Sequence, residues 1–156
     1  MDNCFINSPL GIAKIEGNKN GISLISILSV GELTIDIPKN LVQATTQLQE
    51  YFAGNRTEFT FKINPLGTDF QKKVWQELVN IPFGKTISYL DLAKKLGDPK
   101  VIRAAASANG KNPLCIVVPF HRVIGTDGSL TGYAGGLWRK KWLLEHENPK
   151  NQQSLF

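Results

Sequence analysis

Residues 112–125 read Asn-Pro-Leu-Cys-Ile-Val-Val-Pro-Phe-His-Arg-Val-Ile-Gly, and they are the most informative stretch of the chain. The apolar run that ends at Pro119 predicts a strand, so Phe120 and His121 are expected where that strand gives way to a loop. Functional side chains are often found at such places. His121 is a candidate general base that a carboxylate such as Glu147 could orient. The arrangement lacks a nucleophile.

Upstream of this stretch, the pattern of apolar residues and helix caps predicts helices. Thr68 can cap a first helix with one apolar stripe. Ser88 begins a capping box for a short helix over residues 89–96, and a third helix is expected over 99–109. Two short helices joined by a Gly-containing turn form a helix-turn-helix pattern. The small side chains of 104–108 allow close backbone approach to another surface, although this feature alone favours a tightly packed core helix.

The first 66 residues are predicted to form a small α/β unit. Alternating apolar residues indicate strands, and Gly and Asn residues between two of them indicate a hairpin turn. The predicted elements are a hairpin over 12–28, a strand over 33–37, a helix over 38–54 and a strand over 59–63. A short linker then leads to a domain boundary near residue 66.

Composition and charge place the chain among globular proteins with an anionic partner. The 156 residues are 42% hydrophobic and 20% charged, which excludes disordered, collagen-like and disulfide-scaffold classes. The apolar runs are far shorter than the ~20 residues that span a membrane. Residues 1–66 carry 5 basic and 6 acidic side chains, whereas 67–156 carry 13 and 7. The basic half indicates a polyanionic partner, with a surplus of surface lysines as the equally weighted alternative.

Cysteines and histidines are too few and too scattered for a metal site. Cys4 and Cys115 lack metal-ligand spacing, which suits a reducing cytoplasm, and Cys115 is interpreted as a small buried hydrophobe. The only histidines are His121 and His146. No signal-peptide pattern begins the chain. We therefore expect a cytoplasmic protein without a metal.

Three motifs closely resemble the signature of the O6-alkylguanine-DNA alkyltransferases, also called methylated-DNA–protein-cysteine methyltransferases. That family carries Pro-Cys-His-Arg-Val, then a Gly-Tyr-(Ala/Ser)-Gly-Gly loop, then a Leu-Leu-x-His-Glu helix. The matching segments here are 119–123, 132–136 and 143–147. The match extends through 70–75, Tyr89, Arg103 and Asn112-Pro113, so it covers essentially all of 67–147.

The resemblance implies two domains and a DNA-repair function. Residues 1–66 would form a ribonuclease-H-like α/β domain, and 67–156 a mostly helical, winged-helix-like domain with the helix-turn-helix. Such a protein acts as a monomer on double-stranded DNA containing O6-alkylguanine, in the cytoplasm of a prokaryote with its chromosome. It transfers the alkyl group once and irreversibly to its own cysteine, without a cofactor.

The resemblance also implies the residues that contact DNA. The second helix of the helix-turn-helix would enter the minor groove, which requires small side chains. Arg103 would fill the gap left by the extruded guanine, and Tyr89 would help to swing the nucleotide out by crowding its 3′ phosphate. Flipping is needed because O6 lies inside the base stack. The other implied contacts are Ala104, Ala105, Ser107 and Ala108.

The base pocket and the catalytic residues follow from the same resemblance. A flipped guanine would lie under the Tyr133 loop, and the pocket would comprise Tyr133, Val123, Ala134 and Gly135. His121 would deprotonate the acceptor through a bound water, and Glu147 would orient His121. Asn112 would shape the turn that carries the acceptor.

The chain departs from the family at the acceptor itself, because Phe120 stands where the family has cysteine. A phenyl ring has no lone pair to attack a carbon and no proton for His121 to remove, so the chain as written is expected to be inactive in transfer. Cys115 is no substitute, because five residues of extended strand would separate it from position 120 by ~16 Å.

Three interpretations of Phe120 remain. The first, which we favour, is a deliberate substitution in an otherwise complete enzyme, since His121, Glu147, Asn112 and Tyr133 are all retained. The second is a natural alkyltransferase-like sensor that binds alkylated guanine and hands the lesion to excision-repair proteins. The third is a helix-turn-helix regulator, which the complete base pocket disfavours.

Overall fold

The computed structural model describes residues 1–98, 103–104, 113–125, 127–128, 130, 133 and 136–149. The chain divides into two compact units, Met1–Leu66 with Pro113–Cys115, and Gly67–Asn112 with Ile116–Phe156. Residues 113–115 therefore lie with the first unit, although they fall in the predicted C-terminal domain. They are held there because the Ile25 N–H donates to the Pro113 carbonyl at 2.8 Å and the Cys115 N–H donates to the Ile25 carbonyl at 3.1 Å.

The first unit is built on an antiparallel sheet of β1 (Asp2–Ser8), β2 (Gly11–Asn18) and β3 (Gly21–Leu28), in that order. The predicted hairpin is confirmed as β2 and β3. Gly21, the first residue of β3 after the turn, has φ +131°, a conformation that glycine adopts without a steric penalty. The strand β1 was not predicted, because its sequence is mostly polar and only Cys4 and Ile6 mark its buried face.

Helix α1 (Val42–Phe52) packs its apolar side chains into the core of the same unit, as its spacing predicts. A 3-10 turn over Lys39–Leu41 precedes it and follows Pro38, whose fixed φ suits the start of a helical segment. The predicted helix over 38–54 is confirmed with slightly shorter bounds.

The strand predicted over 33–37 is wrong. An alternating pattern indicates a strand because one face is buried, but here Ile35 is 94% exposed and Leu33 is also exposed. The segment is joined to β1 through Thr34, whose N–H donates to the Phe5 carbonyl at 2.9 Å and whose hydroxyl accepts from the Phe5 N–H at 2.8 Å.

The strand predicted over 59–63 is reduced to a single bridge, between Ile63 and Ile22. The Gln47 side chain provides the reason. Its Oε1 accepts from the Thr60 N–H at 2.8 Å, and its Nε2 donates to the Thr60 hydroxyl at 2.6 Å. A side chain from α1 thus takes the place of a neighbouring strand.

The second unit is mainly helical in its described part. Its elements are α2 (Asp69–Val79), β4 (Ile87–Ser88), α3 (Tyr89–Lys95), β5 (Val123–Ile124) and α4 (Leu137–Glu147), with β4 and β5 paired in parallel. The predicted caps are confirmed: the Thr68 hydroxyl accepts from the Gln71 N–H and the Ser88 hydroxyl from the Asp91 N–H.

The second helix of the helix-turn-helix lies mostly outside the described residues. Arg103 and Ala104 are helical, while the rest of the predicted helix over 99–109 is not described. Within the described ranges, no helix is long and apolar enough to cross a membrane.

The apolar run before Phe120 is a turn and not the predicted strand. Leu114 makes one bridge to Ile25, and residues 115–118 then turn. Ile116 has φ +75°, which is a strained conformation for a β-branched residue. Cys115 is partly exposed rather than buried, and the extended-strand distance inferred for it does not apply.

The capping box of α2 gives a first prediction. Thr68→Ala removes the acceptor for the Gln71 N–H, so the free energy of unfolding should fall by about 1 kcal/mol. Denaturant unfolding measures it, with Thr57→Ala, an exposed threonine outside the helices, as the control. Equal loss in both variants would contradict the capping role.

Candidate active site

The segment that carries Phe120 and His121 is a sharp turn. Pro119, at φ −84° and ψ 65°, forms an inverse γ-turn in which the Phe120 N–H donates to the Val118 carbonyl at 2.9 Å. One turn of 3-10 helix over Phe120–Arg122 follows and leads directly into β5. Because proline fixes φ, the Pro-Phe-His-Arg sequence is suited to this reversal. The turn buries three consecutive side chains.

His121 and Glu147 meet in the interior of the second unit, as the sequence predicts for a base and its orienting carboxylate. The His121 Nε2 lies 2.8 Å from the Glu147 Oε2, and the accessible surface of His121 is 0%. Glu147 is the last residue of α4, so the fold joins a helix terminus to the 120–122 turn.

Arg122 is a third member of this site that the sequence analysis missed. Its Nε donates to Glu147 Oε1 at 2.7 Å and its Nη2 donates to Glu147 Oε2 at 2.9 Å, which forms a bidentate fork. Its Nη1 donates to the Ile81 carbonyl at 2.7 Å. The available signal was its position beside His121 in the motif, because a buried arginine requires a carboxylate partner.

The protonation states follow from burial and neighbouring charge. Burial would raise the pKa of the Glu147 carboxyl, but His121 and Arg122 outweigh it and hold that pKa well below its usual range. Burial lowers the pKa of His121 below 6.5, against the opposing pull of Glu147. Near neutral pH, we therefore infer a carboxylate beside an uncharged imidazole.

This charge state determines the histidine tautomer. A carboxylate can only accept hydrogen bonds, so the His121 Nε2 must carry the proton that it donates to Glu147. The Nδ1 is then an unprotonated acceptor. It is buried and has no hydrogen-bond partner among the residues that the structure describes. His121 is therefore chemically equipped to take up a proton at Nδ1.

Phe120 packs against Tyr133 instead of presenting a reactive group. The two rings are stacked, with centroids 4.5 Å apart and planes at 16°, and Phe120 is 4% exposed. The geometry thus brings together two residues that the sequence analysis assigned to the acceptor position and the base pocket.

Lys140 is a second buried cation that the sequence analysis missed. Its Nζ donates to the Val123 carbonyl at 2.7 Å, and burial lowers its pKa to about 8. Within the sequence it stands between Arg139 and Lys141, and such a run is typical of a solvated face, so the sequence offers little signal.

Comparisons with known proteins agree with the two-unit architecture. Residues 69–149 match the family model described as the 6-O-methylguanine DNA methyltransferase DNA binding domain, and residues 4–65 match the ribonuclease-like domain of the same family. The chain belongs to the 6-O-methylguanine DNA methyltransferase family. The predicted resemblance and fold class are thereby confirmed.

Individual relatives of the methyltransferase family cover nearly the whole chain. A methylated-DNA–protein-cysteine methyltransferase of Methanosarcina barkeri is 43% identical over 91% of this chain and 94% of its own length. The crystal structure of Mycobacterium tuberculosis O6-methylguanine methyltransferase is 42% identical, with a TM-score of 0.84 over 95% of this chain and 93% of that one. A structure of M. tuberculosis OGT in complex with DNA is 43% identical over 93% and 91% of the two chains, also with a TM-score of 0.84.

The structure describes only some of the other residues that the sequence analysis predicted for the DNA contact, the base pocket and the acceptor turn. Tyr89 begins α3 and is half-buried, Arg103 and Ala104 are exposed on a helix, and Val123 is buried in β5. The predicted positions outside the described residues are Ala105, Ser107, Ala108, Asn112, Ala134 and Gly135. In the part of the chain that is described, no cluster of three or more His, Cys, Asp or Glu side chains could hold a metal.

The lowered pKa of His121 gives a second prediction. In the unfolded chain His121 binds a proton near pH 6.5, whereas in the folded protein burial opposes its protonation. The contribution of His121 to stability is therefore complete above pH 6.5 and is lost as pH falls through the pKa of His121 in the folded protein. The free energy of unfolding should fall by up to about 1.4 kcal/mol per pH unit from this group.

Denaturant unfolding between pH 7.5 and 5 measures this slope. His121→Gln should flatten it, whereas the control His146→Gln should retain it, because His146 lies partly exposed against Trp142. An unchanged slope in His121→Gln would show that His121 is not the group that resists protonation.

Proposed function

We propose that this protein binds duplex DNA in the minor groove and receives a flipped O6-alkylguanine beside Tyr133, without transferring the alkyl group. One observation carries the proposal: His121, oriented by Glu147, has a buried acceptor nitrogen without a hydrogen-bond partner among the described residues, and the preceding residue, Phe120, has no proton to give. A general base without a substrate proton is what remains of a thiol-activating site when its thiol is removed.

The geometry supports a complete reaction when position 120 carries a thiol. His121 Nδ1 accepts the thiol proton, directly or through a water, and Glu147 stabilises the resulting imidazolium. The thiolate sulfur then attacks the alkyl carbon, the bond from that carbon to O6 breaks, and guanine leaves with the electron pair and takes up a proton. The product is a thioether, so each molecule would act once, and the reaction requires no cofactor.

Several observations support DNA as the partner. The chain belongs to a DNA methyltransferase family, and a relative with 43% identity has been crystallised with DNA. Residues 67–156 carry the basic excess, and Arg103 is exposed on a helix. In this proposal Arg103 fills the space of the flipped nucleotide, Tyr89 crowds its 3′ phosphate, and the small residues of the second helix approach the groove.

The remaining assigned residues complete the proposal. Val123, Ala134 and Gly135 surround the base with Tyr133, and Asn112 shapes the turn that carries position 120. The Phe120 ring stacks on Tyr133, where it reduces the space for a flat ligand. We therefore expect weaker capture of the lesion than in a cysteine-containing relative, with largely retained affinity for duplex DNA.

A natural sensor of alkylated DNA is the second candidate, and the packing of Phe120 favours it. The ring is almost fully buried and leaves the bond between His121 and Glu147 intact at 2.8 Å. A sensor would retain the lesion and recruit excision-repair proteins, whereas an enzyme disabled by one substitution would regain transfer when that substitution is reversed.

Restoring the nucleophile gives a third prediction. Incubation with O6-benzylguanine should leave the intact mass of the protein unchanged, whereas Phe120→Cys should gain one benzyl group, because the base and its orienting carboxylate are present. Intact-mass spectrometry measures both.

Two controls make the labelling result decisive. Phe120→Cys with His121→Gln should label far more slowly, and Phe120→Ser should not label, because serine is a weaker nucleophile. Benzylation of the unsubstituted chain would contradict the proposed inactivity. A folded Phe120→Cys variant that stays unlabelled would favour the dedicated sensor.

The role of Arg103 gives a fourth prediction. In the Phe120→Cys background, Arg103→Ala should slow transfer from an O6-methylguanine duplex more than it weakens binding to undamaged duplex. The reason is that intercalation acts on the flipped state only. Affinity for undamaged duplex should fall steeply with salt, with a slope of about −0.9 for each phosphate neutralised.

Matched variants separate intercalation from charge. Arg103→Lys keeps the positive charge, and Lys39→Ala removes an exposed cation from the first unit, so neither should reproduce the pattern of Arg103→Ala. If Arg103→Ala lowered transfer and duplex affinity equally, Arg103 would be a phosphate contact and not the intercalating residue.

A further inference from the structure

Arg122 is buried beside the proposed base but does not take part in the proton transfer. All three of its guanidinium nitrogens donate hydrogen bonds, two to the Glu147 carboxylate and one to the Ile81 carbonyl. A buried arginine in a merely structural role needs only hydrogen-bond acceptors for its guanidinium N–H groups. Here its contacts determine the orientation of the group that orients His121.

The fork constrains the carboxylate more tightly than a single hydrogen bond would. Two parallel donors fix the plane of the Glu147 carboxylate, and the bond to Ile81 prevents the guanidinium itself from rotating. The Glu147 Oε2 accepts from both Arg122 at 2.9 Å and His121 at 2.8 Å. The direction in which Oε2 can accept from His121 is therefore fixed by Arg122.

We propose that Arg122 is a positioning residue, which holds the Glu147 carboxylate ionised and in one plane so that His121 keeps its proton on Nε2 and leaves Nδ1 as a proton acceptor. The part of this inference that concerns reaction rate rests on the proposed function. The part that concerns the tautomer of His121 does not, because it can be observed in the chain as it stands.

The effect of the Arg122 charge can be separated from the effect of its geometry, because Lys140 is a second buried cation in the site. Lys140 also lowers the pKa of His121 through its charge, as Arg122 does, while Glu147 raises it. The hydrogen bond that Lys140 donates to the Val123 carbonyl is separate from the fork between Arg122 and Glu147. Lys140→Met therefore removes a charge without removing the fork, whereas Arg122→Lys keeps a charge and loses the planar fork.

The test reads the two ring nitrogens of His121 by long-range proton–nitrogen NMR, with His146→Gln used to assign the signals. In the unsubstituted protein, the proton should reside on Nε2. Arg122→Lys should give a mixture of the two tautomers, because a Glu147 carboxylate that is no longer held by the fork can rotate away from the His121 Nε2. Lys140→Met should retain the Nε2 tautomer and show only a rise in the pKa of His121.

A kinetic arm uses the Phe120→Cys background. Arg122→Lys should slow benzyl transfer about tenfold or more, since misplacement of a catalytic group by about 1 Å costs up to a hundredfold in rate. Arg122→Met removes the charge as well, so the pKa of His121 should rise and transfer should fall at mildly acidic pH, where Nδ1 becomes protonated. Lys140→Met should produce only the second effect, a fall in transfer at mildly acidic pH, because it removes a charge and leaves the fork between Arg122 and Glu147 in place.

Each outcome bears on the proposal. A folded Arg122→Lys variant with the wild-type tautomer, or with an unchanged transfer rate, would overturn it. If substitutions at Arg122 prevent folding, the tautomer of His121 in the unsubstituted protein is the test. A proton found mainly on the His121 Nδ1 there would also overturn the proposal. Failure of a folded Phe120→Cys variant to label would favour the dedicated sensor over a disabled enzyme, and the tautomer measurement would still decide the role of Arg122.

Discussion

The hydrogen bonds accepted by the Glu147 carboxylate are the interactions that connect the elements of the second unit around position 120. Glu147 closes α4, accepts from His121 in the 120–122 turn, and accepts the fork of Arg122, which in turn holds the carbonyl of Ile81 just after α2. Removing one partner of such a buried pair usually costs about 3–5 kcal/mol, because the other charge is left uncompensated. The same carboxylate thus supports the fold around position 120 and, in the proposed mechanism, the transfer of a proton to His121.

Phe120 is in conflict with this environment. In the proposed mechanism the neutral imidazole of His121 and the ionised carboxylate of Glu147 would activate a nucleophile, yet the Phe120 ring is inert and stacks on Tyr133. Packing against Tyr133 accounts for the buried position of the phenyl ring, but it does not explain why His121 Nδ1 lacks a hydrogen-bond partner within the described part of the chain. Such a disagreement between the packing of one residue and the chemistry of its neighbours is expected at functional sites.

The helices were the most predictable elements, and the irregular segments were the least. Thr68 and Ser88 provide local caps, so α2 and α3 could be located from neighbouring residues alone. The predictions of strands over 33–37 and 59–63 were wrong because alternation of apolar and polar residues does not show which neighbouring segment would pair with the strand. In the second segment the partner was the amide of Gln47, a side chain distant in sequence.

The motif residues of the site were predictable, but their supporting residues were not. His121 and Glu147 were found from the resemblance, and the structure places them in contact. Arg122 and Lys140 were missed because their burial depends on tertiary packing, and a basic residue in isolation is usually solvated. The turn at 115–118 was missed because an apolar run does not reveal a positive φ at Ile116.

The most direct test of the account is the acidity of a thiol placed at position 120. In Phe120→Cys, the pH dependence of alkylation by iodoacetamide should report a thiol pKa clearly below the ordinary value of about 8.5, because the thiol proton can pass to His121 and the Glu147 carboxylate stabilises the resulting imidazolium. Adding His121→Gln should raise that pKa again. A thiol pKa at or above about 8.5 in the folded protein, unaffected by His121→Gln, would contradict the claim that this site is built to activate a nucleophile.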